Sequence, residues 1–199
     1  MMKEGLVEGG YRGEVVACLI LLHAWDCACG PLQPLNNEES SNWFSHPLLI
    51  PLVHYLRYLL TYKVYHEVIS KMSKDNIKKR LLEAYIQFNH FVAITYTPHP
   101  SHILEALKRG TAFVCKQNQQ GTDLIILLVL DIGIHDHITL DNISYVLVSV
   151  KNYQKSTDIN YFNNATSMNS PSNVGIEQLP TLPFLSLYCT CNSVLMCQV

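Results

Sequence analysis

The sequence predicts an α/β domain with a mixed central sheet flanked by helices, and three observations carry that expectation. A helix-length apolar stretch, "RGEVVACLILLHAWDCA" (Arg12 to Ala28), runs into Gly30-Pro31, a helix stop. Three β-rich runs then come in close succession: "TAFVCKQ" from Thr111, "GTDLIILLVL" from Gly121 and "SYVLVSVKN" from Ser144. After a long polar stretch, "PFLSLYCTC" (Pro183 to Cys191) supplies a last strand.

The helix over Arg12 to Ala28 is expected to be largely buried, with Glu14 in its first turn, where the helix dipole alone favours a carboxylate. Pro31 to Ser45 is rich in Asn, Glu, Ser and Pro and reads as a loop. Helical text follows near Leu48 to Tyr65 and near His66 to Tyr85. "NHFVAITY" (Asn89 to Tyr96) is strand-like by its β-branched and aromatic content, and Thr97-Pro98 ends it. "SHILEALKRG" (Ser101 to Gly110) is a short helix closed by glycine. The reading is a single domain over 1–199, with core elements at 12–29 and 89–152, a last strand at 183–191, a helical insertion at 46–88 and a flexible segment at 154–180. No internal repeat interrupts this order.

Composition excludes several classes. With 48% hydrophobic and 15% charged residues, the 199-residue chain has the apolar content of a globular core rather than of a disordered chain. A formal net charge of -2 gives no general attraction to polyanions, so a nucleic-acid site has to be a local patch. Before the apolar run, Lys3 and Arg12 are outweighed by Glu4, Glu8 and Glu14, the wrong balance for a secretory signal. Neither that run nor "LLIPLVHYLRYLL", broken by Pro51, His54 and Arg57, reaches the roughly 20 apolar residues that span a bilayer. The expectation is an intracellular protein, cytoplasmic or nuclear, with no membrane partner. Seven cysteines, an odd number, point to a reducing compartment and buried free thiols. The pairs Cys27/Cys29 and Cys189/Cys191 are spaced C-x-C, tighter than structural zinc sites use.

Two charges then require explanation, because Asp123 and Lys151 stand at the far ends of the second and third β-runs. If those runs form an antiparallel hairpin that pairs Leu130 with Ser144, Asp123 falls opposite Lys151, and Ser149 shares their face. A cross-strand ion pair explains that arrangement, and so does a metal-assisted phosphodiester site. In such a site a carboxylate holds a hard divalent cation and a lysine attends the attacked phosphate.

Lys71, Lys74 and Lys78 share one face of the helical text, either as a solvated face or as phosphate contacts. His135-Asp-His137 lies in the expected hairpin loop and reads as a solvated turn. Cys115 has no histidine or acid at a spacing that marks a nucleophile, and no phosphate-binding glycine motif is present.

The ordered blocks "RGEVVA" (Arg12 to Ala17), "FNHFVAI" (Phe88 to Ile94), "QGTDLIILLVL" (Gln120 to Leu130) and "ISYVLVSVKN" (Ile143 to Asn152) resemble a group of uncharacterised proteins of mushroom-forming, basidiomycete fungi. The core of that group in turn resembles the PD-(D/E)xK nuclease superfamily. The resemblance implies a restriction-endonuclease-like core of a helix, a three-strand meander, a helix and a fourth strand, here with an inserted helical section. It implies Glu14, Asp123 and Lys151 as catalytic residues, with Asp123 and Glu14 as magnesium ligands and nucleic acid as substrate. The position two before Lys151, where the superfamily carries Asp, Glu or Gln, holds Ser149, so the implied site is degenerate. The implied function is a divergent magnesium-dependent nuclease, active or inactive. The alternative is a non-catalytic module that keeps the fold to bind nucleic acid or protein.

Overall fold

The computed structural model describes residues 9–30, 49–73, 79–96, 98–116, 121–131, 137–151, 183–190 and 193–196, and of residues 9–12, 151, 188, 190 and 193–196 the backbone alone. The strands are β1 (Ile50–Pro51), β2 (Tyr85–Ile86), β3 (His90–Ala93), β4 (Thr111–Val114), β5 (Leu124–Val129), β6 (Ile143–Lys151), β7 (Leu185–Thr190) and β8 (Ser193–Met196). The α-helices whose bounds fall among the described residues are α1 (Gly9–Cys29), α2 (Leu52–Leu59), α3 (Tyr62–Ser73) and α4 (Pro100–Lys108). All eight strands join one mixed sheet, as the α/β reading requires.

β5 is the middle of that sheet. One of its edges pairs along its whole length with β6, antiparallel. Its other edge is shared end to end, with β4 on Leu124 and Ile125 and β2 on Leu128 and Val129. Because helices cover both faces, every residue of β5 is buried, which explains a continuous apolar run in place of alternation. Leu124, Ile126 and Leu128 face a core built with α1, α2 and α3, while Ile125, Leu127 and Val129 face one built with α4.

Two parallel pairings make the sheet mixed. β3 pairs parallel with β4, and α4 supplies the crossover that such a pair needs. α4 starts at Pro100, with His99 as its N-cap, and the chain turns into β4 through Gly110, whose positive φ of 66° suits glycine. β6 pairs parallel with β7, and β7 pairs antiparallel with β8. The connection from β6 to β7, including the segment 154–180, lies outside the described residues.

Four expectations need correction. First, α1 begins at Gly9, so Glu14 is beyond the first turn and the helix-dipole explanation of it is withdrawn. Second, α1 is not largely buried. It seats Ala17, Leu21, Ala24, Trp25 and Ala28 in the core, and their mostly small side chains let the helix lie close to the sheet. Val15, Val16, Leu19 and Ile20 are exposed on its other side.

Third, the helical stretches divide at a different place from the expected Tyr65/His66, since α2 ends at Leu59 and α3 begins at Tyr62. Leu60 is extended between α2 and α3, which buries both Leu59 and Leu60, and the segment also contributes β1 and β2 to the sheet. Fourth, the β5–β6 register is displaced by two residues, so that Ser144 opposes Leu128 rather than Leu130. An even slip keeps the same side chains in the same cores, which is why hydrophobic pattern does not exclude it.

Among the described residues no helix is long and apolar enough to cross a membrane.

Candidate functional site

The site is built where β5 begins and β6 ends. Continuing the observed register by one residue sets Asp123 level with Ser149, two residues short of Lys151. The Asp123 N–H donates to the Val148 carbonyl at 2.8 Å, and its own carbonyl accepts from the Cys115 N–H at 2.8 Å, fixing the backbone from both sides. Its carboxylate then turns to β6, where Oδ2 accepts the Val150 N–H at 2.6 Å. Asp123 therefore serves the fold, because it satisfies a backbone donor where the main-chain ladder runs out.

Glu14 arrives from α1. Gly13 makes this possible: a Cβ there would stand 3.1 Å from Val150 Cγ1, so the bare backbone lets α1 approach the end of β6. Burial raises the Glu14 carboxyl above its ordinary value of 4.5, and the negative charge of Asp123 raises it further. Two of the expected residues, Glu14 and Asp123, thus lie within Coulombic range of each other. Lys151 is the last residue of β6, and its Cα pairs with Thr190 of β7; its side chain lies outside the described residues.

Ser149 is fully buried, and its hydroxyl donates to the Gly121 carbonyl. Like the Asp123 contact, that bond pins the chain ahead of β5 onto β6. A magnesium site on this rim would draw on Glu14 and Asp123, which carry the anionic oxygens such an ion prefers. The fit is incomplete. The hydroxyl that stands in the third ligand position is committed to Gly121, and among the described residues no group of three or more His, Cys, Asp or Glu side chains is gathered for a metal ion.

Three thiols feel the charge of the acidic pair, and of these Cys18 was not singled out from the sequence. Cys18 is pushed up to about 11 by burial and then by Glu14. Cys115 is pushed up to about 12 by burial, then by Asp123 and Glu14. Cys189 reaches about 12 through burial, Asp123 and Cys18. The four-residue spacing of Glu14 and Cys18 on one helix was the available signal. These are the protonated free thiols of an apolar surround, not nucleophiles.

The remaining candidates lie apart. Lys71 is exposed and pairs with Glu67 at 2.7 Å along α3. Lys74 and Lys78 lie outside the described residues, as do Cys191 and His135.

The geometry defines a class: a mixed α/β domain with an acidic pair at the mouth of its central antiparallel strands. The chain belongs to the family described as Domain of unknown function (DUF8736), whose model matches residues 52–178. That range starts with α2 and holds Asp123, Ser149 and Lys151, while Glu14 precedes it. No curated protein and no solved structure matches the chain significantly.

Proposed function

We propose that the chain is a divergent nuclease-like domain of the PD-(D/E)xK kind, with a restriction-endonuclease-like core and a depleted magnesium site, so that hydrolysis of nucleic-acid phosphodiesters is faint or lost. One observation carries the reading: Glu14 of the first helix lies within Coulombic range of Asp123 at the head of the central strand, beside the strand that ends in Lys151. The order of elements supports it, since β4, β5 and β6 form an antiparallel meander and β7 returns parallel to β6. Magnesium bound to Glu14 and Asp123 would supply Lewis-acid polarisation of a phosphoryl oxygen. A missing anionic ligand weakens such a site at least as much as the 10 to 100-fold typical of an outer-shell loss.

A second reading, a non-catalytic binding module, is favoured by the roles of Asp123 and Ser149 as clips between β5 and β6. The experiment that separates the two is magnesium-dependent cleavage of labelled DNA and RNA by the natural chain, by Ser149→Glu, and by Ser149→Glu with Asp123→Asn. Weak or undetectable cleavage by the natural chain, a rise with Ser149→Glu and its loss with Asp123→Asn support the nuclease reading. Cleavage by none of the three folded proteins supports the binding module. Cleavage that survives Asp123→Asn excludes this site.

A further inference from the structure

Where α2 hands over to α3, the chain places aromatic rings in solvent. α2 buries Leu52, Tyr55, Leu56 and Leu59, and α3 buries Val68 and Met72, so the packing of both helices is complete without Tyr58, Tyr62 or His66. Tyr58 is 50% exposed and Tyr62 is 81% exposed, with His66 exposed one turn further along α3. Within each helix the rings brace one another edge to face. His54 and Tyr58 have centroids 5.2 Å apart, Tyr62 and His66 are 4.3 Å apart, and Tyr65 and His66 are 5.3 Å apart.

Isolated exposed rings need no explanation, but these alternate with cations. Arg57 and Lys63 are exposed within the same two turns, and among the described residues neither is within ion-pair distance of a carboxylate, although the Lys63 charge also acts on Glu67. Glu67, the acidic residue of this face, is already held by Lys71. A chain of net charge -2 thus carries a local cationic, aromatic surface.

We propose that the elbow between α2 and α3 binds single-stranded nucleic acid, with bases stacking on Tyr58, Tyr62 and His66 and phosphates meeting Arg57 and Lys63. Braced rings suit stacking because little ring freedom is left to lose, and every base offers a π-face, so recognition is tolerant of sequence. Duplex bases are already stacked and present no face to a ring. The surface uses none of the residues of the acidic pair, so it is tested without magnesium, and its failure is distinct from failure of the nuclease reading.

The test is fluorescence anisotropy of labelled oligothymidylate and oligouridylate with the full chain, against a random-sequence duplex, with each variant's fold checked by circular dichroism melting. Single strands should bind more tightly than duplex. Tyr62→Ala should weaken binding by about five-fold to about a hundred-fold, the range for losing one stacked base, whereas Tyr62→Phe should retain it. Arg57→Gln with Lys63→Gln should flatten the dependence of log Kd on log salt by about 1.4, at roughly 0.7 per phosphate contact for single strands. Equal affinity for Tyr62→Ala and the natural chain overturns the proposal, as does preference for duplex. Absence of binding to every probe also overturns it.

Discussion

The Asp123 carboxylate accepts the Val150 N–H at 2.6 Å, so the acid implied as a metal ligand is also the clasp that joins β5 to the end of β6. A hydrogen bond to a charged group is worth about 1.5–3 kcal/mol, and a part-buried donor left bare costs a comparable amount. Asp123→Ala should therefore lower stability by about 2 kcal/mol, and Asp123→Asn, which keeps an acceptor oxygen, by distinctly less. Urea unfolding checks this. An Ala variant as stable as the natural chain would remove the clasp role.

Glu14 gives a pH dependence of definite sign. Its carboxyl is raised in the folded chain, first by burial and then by Asp123, so the folded state holds the proton more tightly than the unfolded state does. Stability should consequently fall as pH rises from the ordinary value of 4.5 through the higher folded value. Glu14→Gln should flatten that fall and raise the melting temperature at neutral pH. Because Glu14 is only partly buried, solvent screens the change and keeps it small, and it is read from melting curves of the two proteins across pH 4 to 7. A steeper fall in the variant would contradict the assignment.

The thiols that feel the charge of the pair should be silent in the native state. Cys115 and Cys189 are buried and pushed up to about 12. Iodoacetamide at neutral pH should leave both unmodified until the protein is unfolded, with peptide mass spectrometry as the readout. Rapid native labelling of Cys115 would point to a nucleophile that this structure does not support.

Phe88 ties the first helix to the inserted section. It is fully buried, with ring centroids 5.3 Å from Trp25 of α1, 5.8 Å from Tyr55 of α2 and 5.6 Å from Phe91 of β3. Phe88→Ala should cost about 3–5 kcal/mol through lost contacts and the cavity left behind. Denaturant unfolding measures it, and a cost below about 1 kcal/mol would show that the neighbouring rings collapse into the space.

Much of this architecture was legible in the residues, for identifiable reasons. The apolar run from Leu124 marks a strand buried on both faces, and Pro100 and Gly110 bracket α4. The β5–β6 hairpin was legible in direction but not in register, since the same residues stay buried after a two-residue slip. β1 and β2 are two residues long and give no periodic signal, and the break at Leu60 carries no glycine or proline. Within the site, the nearness of Glu14 to Asp123 followed from the resemblance. What the sequence concealed was occupancy: nothing in "GTDLII" shows that Gly121 takes the Ser149 hydroxyl or that Asp123 takes the Val150 N–H.

The central claim, that Glu14 and Asp123 form an acidic pair able to attract a divalent cation, is tested most directly by carboxyl-carbon NMR titration of Glu14 with and without saturating magnesium. Without the metal, Glu14 should titrate above its ordinary value of 4.5. Magnesium should lower that midpoint, since a cation between the carboxylates favours the ionised form, and Asp123→Asn should abolish the effect. A Glu14 midpoint that magnesium does not move, or moves equally in Asp123→Asn, would contradict the account.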